Sequence, residues 1–429
     1  MGKKSKALVL LITSVVLLQT VELFYRLNSW NTGTVFAFIW IILLIFFIFS
    51  SLNLLIDFKI ESQYFKFIFY LFIFYEIILI IRGWSFSSVD LTIYLRENTI
   101  FWPFLIPFFV FFDKRFSSLI FLLKCFFYLG LLFILLILIF PSLLLYRISA
   151  ETIINAFVPG CGFLLLNATY LSNKKTSISI LIVFIATLSV IYLARRSTFS
   201  VLVEFIIVSY IFNIKSKAPK LLLQLLPLYL LFIGVVITLN FPTFTKTLTS
   251  RMDERILEDS RVDLYPSFLI EMSDFKYFGK GLNGKYYYPM EANELKGDAE
   301  VGVVFNDATY RNNIENGYLE LMLSGGIIHI ILFVLVLLPA AYYGIFKSSN
   351  QFSKACGVVV LFQLINMFIV SMPSLSILYI LVWISVGICY KKSIRNKNDK
   401  EIWNEFQSQT NIYLNNKRQI QFNENNINY

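Results

Sequence analysis

Two adjacent arginines, Arg195 and Arg196, sit in the run Leu193-Ala194-Arg195-Arg196-Ser197-Thr198, between two apolar stretches with almost no loop. Two cations crowded at a membrane boundary repel each other and lose hydration unless an anion joins them. A guanidinium also presents a planar fork that matches phosphate oxygens two at a time. The pair therefore reads as a grip on a phosphate or pyrophosphate, with snorkelling to lipid headgroups as the alternative. A second arginine series, Arg251, Arg255, Arg261 and Arg311, follows in one polar segment. Arg251 and Arg255 are four apart and share a helix face with nearby Asp253, Glu254 and Glu258, so a solvated ion-pair network competes with a ligand role there. Arg261 opens an amphipathic run, and Arg311 precedes an apolar span. Glu315 lies among amides in Arg311-Asn312-Asn313-Ile314-Glu315-Asn316-Gly317-Tyr318. A carboxylate there can act as a general base, or pair with Arg311 four residues earlier. His329, the single histidine, lies mid-span in an apolar run and reads as a packed, neutral side chain.

The elements that must position these residues are membrane spans. Of the 429 residues, 57% are hydrophobic and 15% charged, against about 25% charged in a soluble domain. Charges fall in short islands between apolar runs of bilayer-crossing length, roughly 20 residues. A soluble enzyme, a disordered chain and a β-barrel of alternating strands are excluded. Cys125, Cys161, Cys356 and Cys389 lie far apart inside apolar segments and read as small core residues. One histidine excludes multi-histidine metal motifs, no GxxxxGK[ST] loop is present, and the acidic residues lack calcium-loop spacing. No metal or cofactor and no nucleic-acid partner are expected.

The chain reads as an all-α integral membrane protein of about 12 spans, over residues 7–24, 33–55, 64–81, 98–112, 117–140, 150–171, 178–194, 198–213, 220–239, 317–346, 355–370 and 374–390. The fourth is broken by Pro103 and Pro107. Spans one to nine occupy 1–239, a large loop 240–316, spans ten to twelve 317–390, and a polar tail, expected to be disordered and cytoplasmic, 391–429. With both termini inside, the inner short loops hold eleven Lys/Arg, ten of them lysine, and the outer short loops hold six, all arginine. Cytoplasmic loops carry the basic excess, which selects this orientation. The 77-residue loop carries nine Lys/Arg and thirteen Asp/Glu. Within it, Val262, Tyr265, Leu269 and Met272 recur at helical spacing from Arg261 to Tyr277, predicting an amphipathic helix at the membrane surface. Phe278-Gly279-Lys280-Gly281-Leu282-Asn283-Gly284 then predicts a tight turn.

Three stretches resemble the O-antigen polymerase and O-antigen ligase superfamily of bacterial surface-polysaccharide assembly. Leu193-Ala194-Arg195-Arg196-Ser197-Thr198-Phe199 is similar to its Ser-Arg-small turn between two spans, which puts the family arginine at Arg196. Arg261 through Phe278-Gly279-Lys280-Gly281 is similar to its Arg, amphipathic helix and Gly-x-Gly block. Asn316-Gly317-Tyr318-Leu319-Glu320 through Ser324-Gly325-Gly326-Ile327 is similar to its Asn-x-Tyr-Leu segment. Ligases usually carry histidine immediately before that asparagine, where this chain has Glu315; the departure favours the polymerase branch.

The resemblance implies an enzyme of the bacterial cytoplasmic membrane that joins undecaprenyl-pyrophosphate-linked repeat units into an O-antigen or capsule polysaccharide. It implies Arg196, Arg261 and Glu315 in catalysis, and Arg195, Arg255, Arg311, Asn316 and Tyr318 around the substrate. A flippase and a chain-length regulator are the protein partners it suggests. Two alternatives stand beside it. A ligase would transfer the finished glycan to another acceptor. A flippase would need charges lining its spans, where the sequence offers mainly Glu22, Glu76, Lys124 and Glu204.

Overall fold

The structure, a computed structural model, describes residues 3–27, 33–84, 102–141, 147–192, 196–213, 265, 268–287, 310–311, 314, 316–372 and 375–408. Its elements are helical. They run α1 (Lys3–Leu27), α2 (Gly33–Leu54), α3 (Gln63–Gly83), α4 (Trp102–Leu105), α5 (Phe116–Ile139), α6 (Arg147–Phe157), α7 (Pro159–Leu166), α8 (Asn173–Tyr192) and α9 (Arg196–Asn213). After a two-residue antiparallel ladder come α10 (Gly317–Phe346), α11 (Gln351–Asn366), α12 (Ile377–Tyr390) and α13 (Lys392–Arg395). In the ladder β1 (Tyr286–Tyr287) pairs with β2 (Tyr310–Arg311), Tyr286 opposite Arg311.

Among the described residues, five helices are long and apolar enough to cross a membrane: Lys3–Val21, Gln63–Gly83, Phe116–Ile139, Asn173–Val190 and Gly317–Phe346. Shorter apolar helices cover Phe38–Leu54, Ala150–Leu166, Thr198–Phe212 and Ile377–Tyr390. The expected fourth span takes another form where it is described. Helix α4 gives way to a 3-10 helix, Ile106–Phe111, with Pro107 in its first turn. Proline supplies no N–H for a continuing α-helical ladder. The ninth expected span, 220–239, lies outside the described residues.

Hydroxyl and amide side chains start several helices. Ser62 accepts from Phe65 N before α3, Asn350 from Ser353 N before α11, and Ser376 from Tyr379 N before α12. The core between α3, α10 and α12 is aromatic, with Phe69, Phe72, Phe333, Tyr379 and Trp383 almost fully buried. Helices α10 and α11 touch backbone to backbone, since a Cβ on Gly344 would lie 2.5 Å from the Cα of Gly357. Small residues permit such close approach. A second, smaller core forms separately: Phe268, Met272, Tyr286, Ile314 and Leu323, flanked by Tyr265, Leu319 and Met322.

One end of the bundle is rich in lysine. Asp57 meets Lys114 at 3.4 Å and Lys391 at 2.5 Å, while Asp113 binds Lys4 at 3.1 Å and Arg115 at 2.8 Å. The tail expected to be disordered contributes here: α13 and residues 399–408 are helical, with Ile402 and Phe406 buried. The Phe406 ring sits against Phe116, Tyr170 and Phe352, giving this polar segment an apolar anchor that composition alone conceals. Residues 409–429 lie outside the described residues.

Lys114 is 4% exposed, and burial pushes it down to about 8, opposed by Asp57 and reinforced by Lys391. A lysine whose folded value lies below its unfolded one destabilises the fold at neutral pH, and this penalty shrinks as pH rises from 8 towards 10.5. Stability is therefore expected to rise by about 2 kcal/mol between pH 7 and 9.5. Lys114→Met should flatten that rise in detergent unfolding curves, because Asp57 keeps Lys391.

Candidate active site

The end opposite the lysines gathers the start of α10, the start of α9 and the glycine turn. Asn316 caps α10: its Oδ1 accepts from Tyr318 N and Leu319 N, each at 3.1 Å, and its Nδ2 donates to Phe368 O at 3.0 Å. Gly317 N donates to Met367 O and Val370 O at 2.9 and 2.8 Å. Tyr318 donates its hydroxyl to Leu364 O at 2.7 Å and lays its ring on Phe368, centroids 4.6 Å apart. Glu320, which sequence reasoning did not single out, accepts from Ile314 N at 3.2 Å with one oxygen and from Met372 N with the other. Helix α10 thus begins clasped to residues 364–372.

The same segment meets α9, whose first residue is Arg196. Asn366 Nδ2 donates to Glu204 Oε2 at 2.8 Å, and Ser200 Oγ donates to Asn366 Oδ1 at 3.5 Å. The helix that Arg196 opens and the helix that Asn316 caps are therefore joined through α11 and the turn after it. Glu204, one of the few intramembrane charges visible in the sequence, is one of the joining groups. Arg196 and Arg311 are described in backbone only, at the start of α9 and in β2. Arg195, Arg251, Arg255, Arg261 and Glu315 lie outside the described residues.

The surface helix expected over Arg261–Tyr277 ends early. Residues 268–271 are helical and turns run from Met272 to Phe278. Phe268 and Met272 are buried, whereas Leu269, expected on the apolar face, is 52% exposed. The chain must turn there to reach the glycines. Gly279 and Gly281 adopt φ of +61° and +90°, as the expected tight turn requires.

This turn docks against a break in α10. Gly326 has φ 66° and ψ −165°, a conformation open essentially to glycine alone. Breaking a helix orphans backbone groups on both sides, and the turn meets them. Lys280 N donates to Leu323 O at 2.7 Å and Gly281 N to Ser324 O at 2.8 Å; Ile327 N donates to Lys276 O at 2.7 Å. Tyr75 supplies its hydroxyl to Gly325 O at 2.6 Å. Arg82, counted in the sequence only as a loop charge, donates to Phe278 O at 2.7 Å and Gly279 O at 3.0 Å. Lys280 pairs with Glu271.

The break also bears on the surroundings of His329. The 30-residue α10 divides into 317–325 and 327–346. The latter alone measures about 30 Å, the thickness of a bilayer core. His329 therefore stands three residues beyond the break. It is fully buried and hydrogen-bonded on both nitrogens: Nδ1 to Ser324 Oγ at 3.1 Å and Nε2 to Glu76 Oε1 at 3.0 Å. Among the described residues, no group of three His, Cys, Asp or Glu is placed to hold a metal ion.

Comparison with known proteins agrees with the motifs. Residues 162–334 match the family model described as O-Antigen ligase, a stretch holding both Arg195-Arg196 and Asn316–Tyr318. No curated protein and no solved structure matches the chain. Apolar helices and this match together indicate a multi-pass membrane protein, and the match points to glycan-transferase-type activity. Over residues 162–334 the chain is similar to the O-antigen ligase family, the superfamily that its three motif stretches resemble.

Proposed function

We propose that the protein is a polysaccharide polymerase of the bacterial cytoplasmic membrane, extending a glycan from undecaprenyl-pyrophosphate-linked repeat units. The observation carrying this reading is that the family match spans both motif regions, while the helices they open are clasped to one segment, residues 364–372. An acceptor hydroxyl attacks the donor's anomeric carbon, the bond to pyrophosphate breaks, and the lipid pyrophosphate leaves with the electron pair. Charge then develops on phosphate oxygens, where arginines held in place stabilise it. Arg196 and Arg261 hold the pyrophosphate, Glu315 takes the hydroxyl proton, and Arg195, Arg255, Arg311, Asn316 and Tyr318 line the substrate path. Asn316 and Tyr318 do this through their backbone setting, since their polar groups already hold α10. Supporting an inward-facing lysine end, Lys4, Lys114 and Lys391 gather at one end while Arg82 lies at the other. Both termini are then cytoplasmic, and a flippase and chain-length regulator work beside the enzyme.

The ligase reading keeps the same site and changes the acceptor; the description of the matched family favours it. Deleting the gene and analysing lipid carriers separates the two. A polymerase mutant leaves single repeat units on the surface, and a ligase mutant leaves long chains on undecaprenyl pyrophosphate. Wild-type chain length on the final acceptor would sink both.

If Glu315 is the base, Glu315→His should retain more transfer than Glu315→Gln, because imidazole restores a proton acceptor and the amide does not. That advantage should fade on acidification as imidazole protonates. Full activity of Glu315→Gln on purified lipid-linked repeat units would reduce Glu315 to an ion-pair partner of Arg311.

A further inference from the structure

We propose that His329 is a positioning residue for glycan transfer: with Ser324 and Glu76 it pins the break at Gly326, and so sets where the outer half of α10 and the glycine turn stand over the membrane. This rests on the glycan-transfer reading of the same end.

The geometry is that of a clamp across a joint. Ser324 belongs to residues 317–325 and His329 to residues 327–346, so their 3.1 Å contact bridges the two halves. Glu76, on α3, receives the other imidazole nitrogen at 3.0 Å. The neighbouring Tyr75 reaches the carbonyl of Gly325, inside the break, at 2.6 Å. The ring is fixed in orientation as well as in contact: Phe72, Tyr75 and Phe104 surround it, with centroids 6.1, 6.0 and 5.8 Å away. Gly325 leaves the space it needs, since a Cβ there would lie 2.7 Å from His329 Cβ. Directly before the break, Leu323 O and Ser324 O receive the glycine turn.

A nucleophilic reading of this Ser-His-Glu set fails on access. His329 is fully buried, Ser324 is buried beside it, and Ser324 Oγ lies within hydrogen-bonding distance of Leu321 O in its own helix. A purely stabilising reading is also weak. Glu76 Oε2 is buried without a hydrogen-bond partner. Buried polar groups so incompletely satisfied are often replaceable by apolar residues at no loss of stability. What the set supplies is a defined angle between two half-helices, one bearing Asn316, Tyr318 and Glu320 and the other crossing the membrane.

The test uses the full chain in nanodiscs, with undecaprenyl-pyrophosphate-linked glycans extracted from a strain lacking the gene and titrated by lipid phosphate. The paired variant Glu76→Leu/His329→Leu removes the clamp without leaving a buried polar partner unpaired. It should keep wild-type thermal stability and KM, while kcat falls at least tenfold. Hydrogen exchange in the peptide 276–284 should accelerate at least tenfold, because its amides lose a fixed acceptor. Glu76→Gln, which can still hydrogen-bond the imidazole, should stay within threefold of wild type. If the paired variant does not fold, Ser324→Ala carries the same expectations, since it removes only the hydroxyl that bridges the joint. Turnover within twofold of wild type, or unchanged exchange in 276–284, in the folded variant overturns the proposal. If the wild-type protein transfers no glycan, the functional reading fails, and the exchange measurement alone decides whether the clamp exists.

Discussion

Gly326→Ala is expected to release the glycine turn from α10 and to destabilise the protein by about 2–6 kcal/mol, the sum of backbone strain and overpacking. Two effects act together. At φ 66° and ψ −165° a side chain is strained on its own account, and the added Cβ would lie 2.3 Å from the backbone carbon and oxygen of Tyr277. Both struck atoms are backbone, so no rotamer change relieves the clash. Alanine also favours the competing state in which 317–346 is one unbroken helix. In that state the Leu323 and Ser324 carbonyls return to their own helix, and Lys280 N and Gly281 N lose their acceptors. Limited proteolysis should then cut within 276–284, and folded protein in detergent should fall. A variant with wild-type unfolding and protection would show that the break is not needed for docking.

Arg196→Lys is expected to slow glycan transfer about 10- to 150-fold, nearly as much as Arg196→Ala. Lysine keeps the charge but cannot reproduce the planar two-point fork. Losing one charge-assisted hydrogen bond costs about 1.5–3 kcal/mol, which gives that range of rates. Arg261→Lys should behave alike, whereas Arg251→Ala should be mild because Asp253 and Glu254 follow it in the sequence and favour an ion-pair role there. The measurement is turnover in membranes at matched protein levels. Near-normal polymer from Arg196→Lys would leave Arg196 a topological anchor.

The sequence disclosed what depends on chain-local physics. Continuous apolar runs marked most of the helices, Pro103 and Pro107 warned of the interrupted fourth, and Gly279 and Gly281 announced their turn. The break in α10 stayed hidden because hydropathy is blind to φ: residues 321–338 read as one apolar run. Ser324-Gly325-Gly326 was the available signal, and it was used only as a motif. The partner of His329 was beyond any local pattern, since Glu76 is 253 residues away in the chain. The order in the tail depended on Phe406 finding three aromatic rings from three other elements. At the site, the motif arginines were legible as chemistry. The clasp through Leu364, Asn366 and Phe368 was not, because it is made largely of main-chain carbonyls, which every residue carries.

The small core of Phe268, Met272, Tyr286, Ile314 and Leu323 is not continuous with the core of the bundle. The two packing problems are thereby largely separate. Substitutions among those five buried side chains would alter packing in the outer segment while leaving the contacts of Phe69, Phe72, Phe333 and Trp383 in place. Such a partition allows the packing of the outer segment to be varied on its own, apart from the aromatic interior of the bundle.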